Sequence, residues 1–205
     1  MKKVFLATHN AGKIERYKKL LANTGLALEI FTPEDFGLAS IEVEETGKTL
    51  MENAERKVHA YFGKVDMPIL ANDTGFWVKG VGFADAPKRA AVGHGNAKLS
   101  KEEAAATMLA FWQDIARTHG GNVDAAWIEA FALLDPDGKM HRVETRRDVI
   151  LTDRLFGEVH LELPVRALYI SKATGKPAAQ HTKEEEIFEL KPITDALVKL
   201  LSASE

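Results

Sequence analysis

Residues 3–31 read KVFLATHNAGKIERYKKLLANTGLALEIF, and the fold is decided here. Residues 3–8 form an apolar run of strand length, followed by the polar group His9-Asn10-Ala11-Gly12-Lys13. Ile14, Tyr17, Leu20 and Leu21 then recur at helical spacing, which predicts a helix with one buried face. Asn23-Thr24-Gly25 ends that helix and introduces a second apolar stretch, residues 26–31, closed by Thr32-Pro33. Strand, polar loop, helix and strand make a βαβ-like opening.

Working outward, Gly47-Lys48-Thr49 precedes a segment with Leu50, Ala54, Val58 and Tyr61 on one face, a helix that stops near Gly63. Met67-Pro68 introduces the brief strand Ile69-Leu70-Ala71. The polar group Asn72-Asp73-Thr74-Gly75 reads as a turn at its end, before Phe76-Trp77-Val78 resumes strand composition. Residues 80–98, rich in Gly and Ala, read as a loop. Residues 101–118 read as a helix capped by Ser100, with Glu103 completing a capping box. Asp135-Pro136-Asp137-Gly138 joins residues 125–134 to 140–151 as a β-hairpin. A strand at 165–170 and a closing helix at 193–201 finish the chain. Early alternation of strands and helices, then a hairpin, predicts a mixed-sheet α/β protein with flanking helices.

With 205 residues, 45% hydrophobic and 28% charged, the chain can bury a core as one domain, 1–205, without cross-links. A net charge of −3 excludes the global basic field that draws proteins to nucleic acid, so any phosphate site must be local. Zero cysteines exclude disulfides, thiolate metal sites and a cysteine nucleophile, and agree with a reducing compartment. No apolar run approaches the roughly 18 residues of a membrane span, and Met1-Lys2-Lys3 leads into a strand rather than a signal peptide. A cytoplasmic location is the expectation. The histidines lack a metal-ligand spacing, so no histidine zinc site is expected.

Three groups of residues have chemistry to offer. Thr8 to Lys13 brings a hydroxyl, an amide, a glycine and a lysine to a helix N-terminus, where backbone N–H groups and the helix dipole favour anions. Its plain alternative is a polar turn with a solvated lysine, since the P-loop spacing is absent. Glu44-Glu45-Thr46-Gly47 enters the helix that carries Glu52, Asn53 and Lys57. Those acids are either dipole partners or donors to a hard cation that also takes substrate phosphate oxygens. Asp73 can bind metal or activate water, or the Asn72 group is only an Asx turn. Trp77, Phe83, Trp112 and Tyr169 are either core aromatics or stacking partners for a base. Residues 183–189 read as a solvated charged face.

Taken in order, Thr8-His9-Asn10-x-Gly12-Lys13, Glu44-Glu45-Thr46-Gly47-x-Thr49-Leu50-x-Glu52-Asn53-Ala54-x-x-Lys57 and Pro68-Ile69-Leu70-Ala71-Asn72-Asp73-Thr74-Gly75 resemble the inosine triphosphate pyrophosphatase family. The resemblance implies an elongated, two-lobed α/β fold with a central cleft, often assembled as a homodimer. It also implies Mg²⁺-dependent hydrolysis of ITP, dITP or XTP between the α- and β-phosphates, giving monophosphate and pyrophosphate. Carried over by motif, Asp73, Glu45 and Lys13 would form the catalytic set. Glu45 and Asp73 would hold the metal, Asp73 either as ligand or as activator of the attacking water. Thr8, Asn10, Lys13, Lys57, Thr74, Gly75 and Arg89 would contact the nucleotide.

The chain departs from the family at Asn72 and through its C-terminal half. Asn72 stands where the family has the first aspartate of a pair, which would remove one negative charge from the metal site. Leu163-Pro164-Val165-Arg166-Ala167-Leu168-Tyr169 replaces a Phe-Gly-Tyr-Asp-Pro segment that helps hold the base, and a Ser-His-Arg triplet is missing near Glu189-Leu190-Lys191. Base selectivity rests on a few polar groups, so their replacement changes the preferred base. Two rival readings follow: a nucleotide-binding relative with weak turnover, and a pyrophosphatase for a different modified nucleotide.

Overall fold

The opening βαβ unit sets the arrangement of the parallel part of the sheet. β1 (Lys2–Leu6) runs parallel to β2 (Leu28–Phe31) on one side and to β3 (Ile69–Val78) on the other. Lys2 pairs with Leu28 and Phe5 with Ile69. α1 (Ala11–Ala22) connects β1 to β2, and α2 (Leu50–Tyr61) lies between β2 and β3. The computed structural model describes residues 1–86 and 99–204, so Arg89 falls outside the described residues.

Further along come β4 (Gly82–Phe83), α3 (Lys101–Thr118), β5 (Asn122–Leu134), β6 (Met140–Thr152), β7 (Tyr169–Ser171) and α4 (Lys183–Ser202). The mixed α/β reading holds. The chain divides into two compact units, residues 1–74, 129–145 and 191–205 in the first and 75–128 with 146–190 in the second. β3, β5 and β6 each contribute residues to both.

In the first unit the strand order is β2-β1-β3-β5-β6. One face carries α2, whose Ala54, Val58 and Tyr61 pack with Phe5, Ala71 and Ala132. The other face carries α1, whose Tyr17 meets Phe131 edge-on at 5.9 Å. Phe131 and Ala132 are adjacent in β5, so alternation along the strand assigns α1 and α2 to opposite faces. Residues 129–134 are all buried, as a strand covered on both faces must be.

In the second unit α3 packs Trp112 and Ala116 against Phe76, Val78, Val149 and Leu151. Trp112 and Tyr169 are 5% and 2% exposed within this cluster, which makes them core residues. Ser100 accepts from the Glu103 N–H at 3.1 Å while the Glu103 carboxylate accepts from the Ser100 N–H at 2.8 Å, completing the expected capping box.

Three readings of the sequence need correction. Residues 72–75 are not a turn, because β3 runs unbroken from Ile69 to Val78. The strand expected at 165–170 is a 3-10 turn, Pro164–Leu168, followed by the short β7; Pro164 at its first position fixes φ for a helical turn. The closing helix begins ten residues earlier and contains Pro192. Its start is marked by a second capping box, in which Thr182 and Glu185 exchange bonds of 3.0 and 3.3 Å.

Ser100→Ala removes the cap from α3 and is expected to cost about 1 kcal/mol. Urea denaturation should show a lowered midpoint with an unchanged slope, and an unshifted midpoint would contradict this account.

Candidate active site

The first side chains of the site stand at the carboxyl end of β1. Asn10 caps α1, its Oδ1 accepting from the Lys13 N–H at 3.0 Å, and Thr8 Oγ1 accepts from the Asn10 N–H at 3.2 Å. No acidic residue occupies the first turn of α1, so its positive end is not neutralised from within. Lys13 loses its proton more readily than an ordinary lysine. Burial is the main cause and the Lys57 charge adds to it, while Asp73, Glu45 and Glu129 act in the opposite sense. His9 ties the loop down, its Nε2 lying 2.8 Å from both the Ile41 carbonyl and the Tyr61 hydroxyl.

The second group is built on the entrance to α2. Thr49 caps this helix by accepting from the Glu52 N–H at 3.1 Å. Gly47 lies against the first turn so closely that an added Cβ would stand 2.6 Å from Asn53 Oδ1 and 2.8 Å from Glu52 Cβ. Its N–H donates to Asn53 Oδ1 at 2.7 Å, and Asn53 Nδ2 in turn donates to Asp73 Oδ2 at 3.1 Å. Asn53 therefore relays the position of the Gly47 backbone to the Asp73 carboxylate.

Lys57, one turn after Asn53, completes the arrangement. Its Nζ is 3.1 Å from Glu45 Oε1, Asp73 Oδ1 and the Asn72 carbonyl. Lys57, Asn72 and Asp73 are each 7% exposed, whereas the Glu45 side chain is 48% exposed. A buried ammonium is tolerable only because two carboxylates and a carbonyl surround it. The two carboxylates are held close together by the same cation.

Alternation along β3 separates neighbours that the sequence groups together. Asp73 faces α2, while Asn72 turns to the α1 face and donates from Nδ2 to Thr74 Oγ1 at 2.8 Å. The neutral amide of Asn72 thus points away from the carboxylate pair, contrary to the expectation that it thins the charge there. Thr74 and Gly75 also lie within β3. Thr8, Asn10 and Lys13 belong to the α1 entrance, and Glu45, Lys57 and Asp73 to the carboxylate group. The charge coupling of Lys13 to Glu45, Lys57 and Asp73 joins the two sets.

Glu45 and Asp73 suit a hard divalent cation by their oxygen donors. Among the described residues no group of three or more acidic or histidine side chains is gathered to hold a metal, and the acidic groups that meet here are the two carboxylates on Lys57. That is the donor set Mg²⁺ takes when substrate phosphates complete its shell. A cavity of about 300 Å³ lined by Phe62, Gly63, Lys64, Val65, Asp66, Ile69 and Pro136 lies beyond the end of α2 and shares none of these residues.

Sequence reasoning passed over Gly47 and Asn53 as working parts, although Asn53 stands in the matched motif; only the closeness of two backbones reveals their use. It also passed over Arg16, Tyr17 and Glu129, where a half-buried arginine and a buried tyrosine of α1 meet a buried glutamate of β5. Glu189 corrects the reading of residues 183–189 as a solvated face. It is 2% exposed and pairs with Arg147 at 3.1 Å and with His181 at 3.1 Å. Among the described residues no helix is long and apolar enough to cross a membrane.

The Ham1 family matches residues 4–160. A dITP/XTP pyrophosphatase of Streptomyces avermitilis is 34% identical over 146 residues, covering 70% of this chain and 69% of that protein. A dITP/XTP pyrophosphatase of Aquifex aeolicus is 39% identical over 79 residues, so the matched region spans 38% of this chain and 36% of that one. Among solved structures, a HAM1 protein of Coxiella burnetii superposes with a TM-score of 0.75 at 16% identity, covering 99% of this chain and all of that one. The Staphylococcus aureus Ham1 protein gives a TM-score of 0.71 at 20% identity over the whole of both chains. At such identities the structures speak for the fold alone, but the family match covers most of the sequence: this chain belongs to the Ham1 family.

Proposed function

We propose that the chain is a nucleoside triphosphate pyrophosphatase for deaminated purine nucleotides of the ITP, dITP and XTP class. The observation that carries the reading is the meeting of Glu45 and Asp73 on Lys57, electrically coupled to Lys13 at the α1 entrance. The names of the Streptomyces and Aquifex relatives support the substrate class.

The chemistry follows from charge. Two carboxylates and two ammonium groups balance one another in the free protein, so a triphosphate brings negative charge that needs added cations. The N-terminus of α1 and Lys13 take the phosphate tail, and Thr8, Asn10, Thr74 and Gly75 complete the nucleotide contacts. Lys57 orients Asp73 and stands ready to share its charge with phosphate oxygens. Asp73, fixed at both oxygens by Lys57 and Asn53, orients water toward the α-phosphorus and receives its proton as pyrophosphate leaves. Glu45 and Asp73 would hold Mg²⁺, whose charge would neutralise the phosphates. The same reading carries a homodimer acting in the cytoplasm on free nucleotides rather than on nucleic acid.

A second reading, pyrophosphatase action on a different modified base, is favoured by one observation. Glu189, beside the position of the missing triplet, is engaged with Arg147 and His181. Pyrophosphate release measured across ITP, dITP, XTP and the common nucleotides with Mg²⁺ decides between the two. Highest kcat/KM for the deaminated purines supports the first reading, a different preferred base supports the second, and no turnover with any of them ends both.

Asp73→Asn should lower kcat by at least about 100-fold while changing triphosphate binding far less, because the general-base carboxylate is lost and the lysines remain. Near-normal kcat would remove Asp73 from its role. Gly47→Ala should lower turnover too, since Asn53 and then Asp73 must shift. A variant with wild-type kinetics would show that this relay is unimportant.

Lys13 also gives a pH signature. Its free-state pKa is below that of an ordinary lysine, and bound phosphate raises it again, so at alkaline pH binding should draw a proton onto the protein. Calorimetry in buffers of different ionisation enthalpy should detect this uptake, and Lys13→Arg should abolish it because a guanidinium stays charged. Uptake that persists unchanged in Lys13→Arg would assign the proton elsewhere.

A further inference from the structure

Glu129 is the acidic residue of a strand segment, residues 129–134, that is otherwise apolar and wholly buried. It is 1% exposed. A carboxylate there is costly unless paired, and a well-packed apolar residue would serve stability equally well. The pairing is thorough. Arg16 donates to it in a fork, from Nη2 to Oε1 at 2.7 Å and from Nη1 to Oε2 at 2.9 Å, and the Tyr17 hydroxyl donates to Oε2 at 3.1 Å.

The geometry links this group to the phosphate-binding turn. Lys13, Arg16 and Tyr17 are spaced i, i+3 and i+4, so they share one side of α1. Glu129 and Phe131, two apart in β5, lie under that side, with Phe131 edge-on to the Tyr17 ring at 88°. Burial together with the Glu129 charge keeps the Tyr17 phenol protonated. The tyrosine hydroxyl therefore joins α1 to β5.

We propose that Glu129 is a positioning residue: through the Arg16 fork and Tyr17 it fixes the rotation and height of α1 on the sheet, so that Lys13 meets the polyphosphate at a set distance from Asp73. The inference rests on the pyrophosphatase reading. The Glu129 charge also acts on Lys13 directly, in the same sense as Asp73 and Glu45.

The test compares Glu129→Gln, Arg16→Lys and the double variant Arg16→Met/Glu129→Met with the wild type. Steady-state kinetics, equilibrium binding of pyrophosphate alone, and thermal unfolding are read for each. Each single variant is expected to raise KM for the triphosphate and weaken pyrophosphate binding by about tenfold, with kcat within about twofold, the split that marks lost uniform binding. The double variant replaces the ion pair with apolar groups and is expected to keep its Tm while retaining the raised KM. It keeps the question open to refutation where a single variant fails to fold. Wild-type KM and pyrophosphate affinity in the folded double variant would overturn the inference and leave the pyrophosphatase reading standing. A wild-type protein that releases no pyrophosphate from any nucleotide would instead overturn that reading itself.

Discussion

The ammonium of Lys57 is the constraint on which the site depends. It lies 3.1 Å from two carboxylate oxygens and a backbone carbonyl, buried between α2 and β3. Without a cation there, Glu45 and Asp73 would repel each other, and the buried Asp73 carboxylate would lose its charged partner. Asn53 then fixes the second Asp73 oxygen, and Gly47 fixes Asn53. A helix entrance, a strand interior and a loop are brought together by one positive charge.

The order of residues along β3 shows how strand geometry sorts chemistry. Ile69, Ala71 and Asp73 look toward α2, while Asn72 and Thr74 look toward α1. One strand serves both faces, and each face has its own polar group. On the α2 face a lysine gathers the carboxylates; on the α1 face an arginine and a tyrosine satisfy Glu129. Where the family has a second aspartate, this chain has an amide turned to the other side of the sheet. Its effect is accordingly exerted on Thr74 and its surroundings rather than on the carboxylate pair.

Local signals made much of this legible before any coordinates. The spacing of Leu50, Ala54, Val58 and Tyr61 marked α2, the Ser100 and Glu103 pair marked α3, and the Asp-Gly turn marked the hairpin between β5 and β6. What stayed hidden depends on partners distant in the chain. The polar run at 72–74 looks like a turn until Lys57 and Asn53 are seen to satisfy it. Glu129 gives no hint of its purpose because Arg16 is 113 residues away. The start of α4 is set by the capping pair Thr182 and Glu185, and Pro192 lies inside the helix, where the residue type alone argues for a boundary. The three motifs were readable together because their order is characteristic, although their inner contacts were not.

The closeness of Lys57 to both carboxylates has a consequence for ligand capture. The side chains of Asp73, Asn53 and Lys57 are held by hydrogen bonds to one another, so the ligand of the proposed reading need not gather them from a disordered ensemble. The entropy of organising these groups is charged to folding, leaving more of the contact energy to appear as affinity. Preorganisation of this kind lets a brief encounter become a bound state.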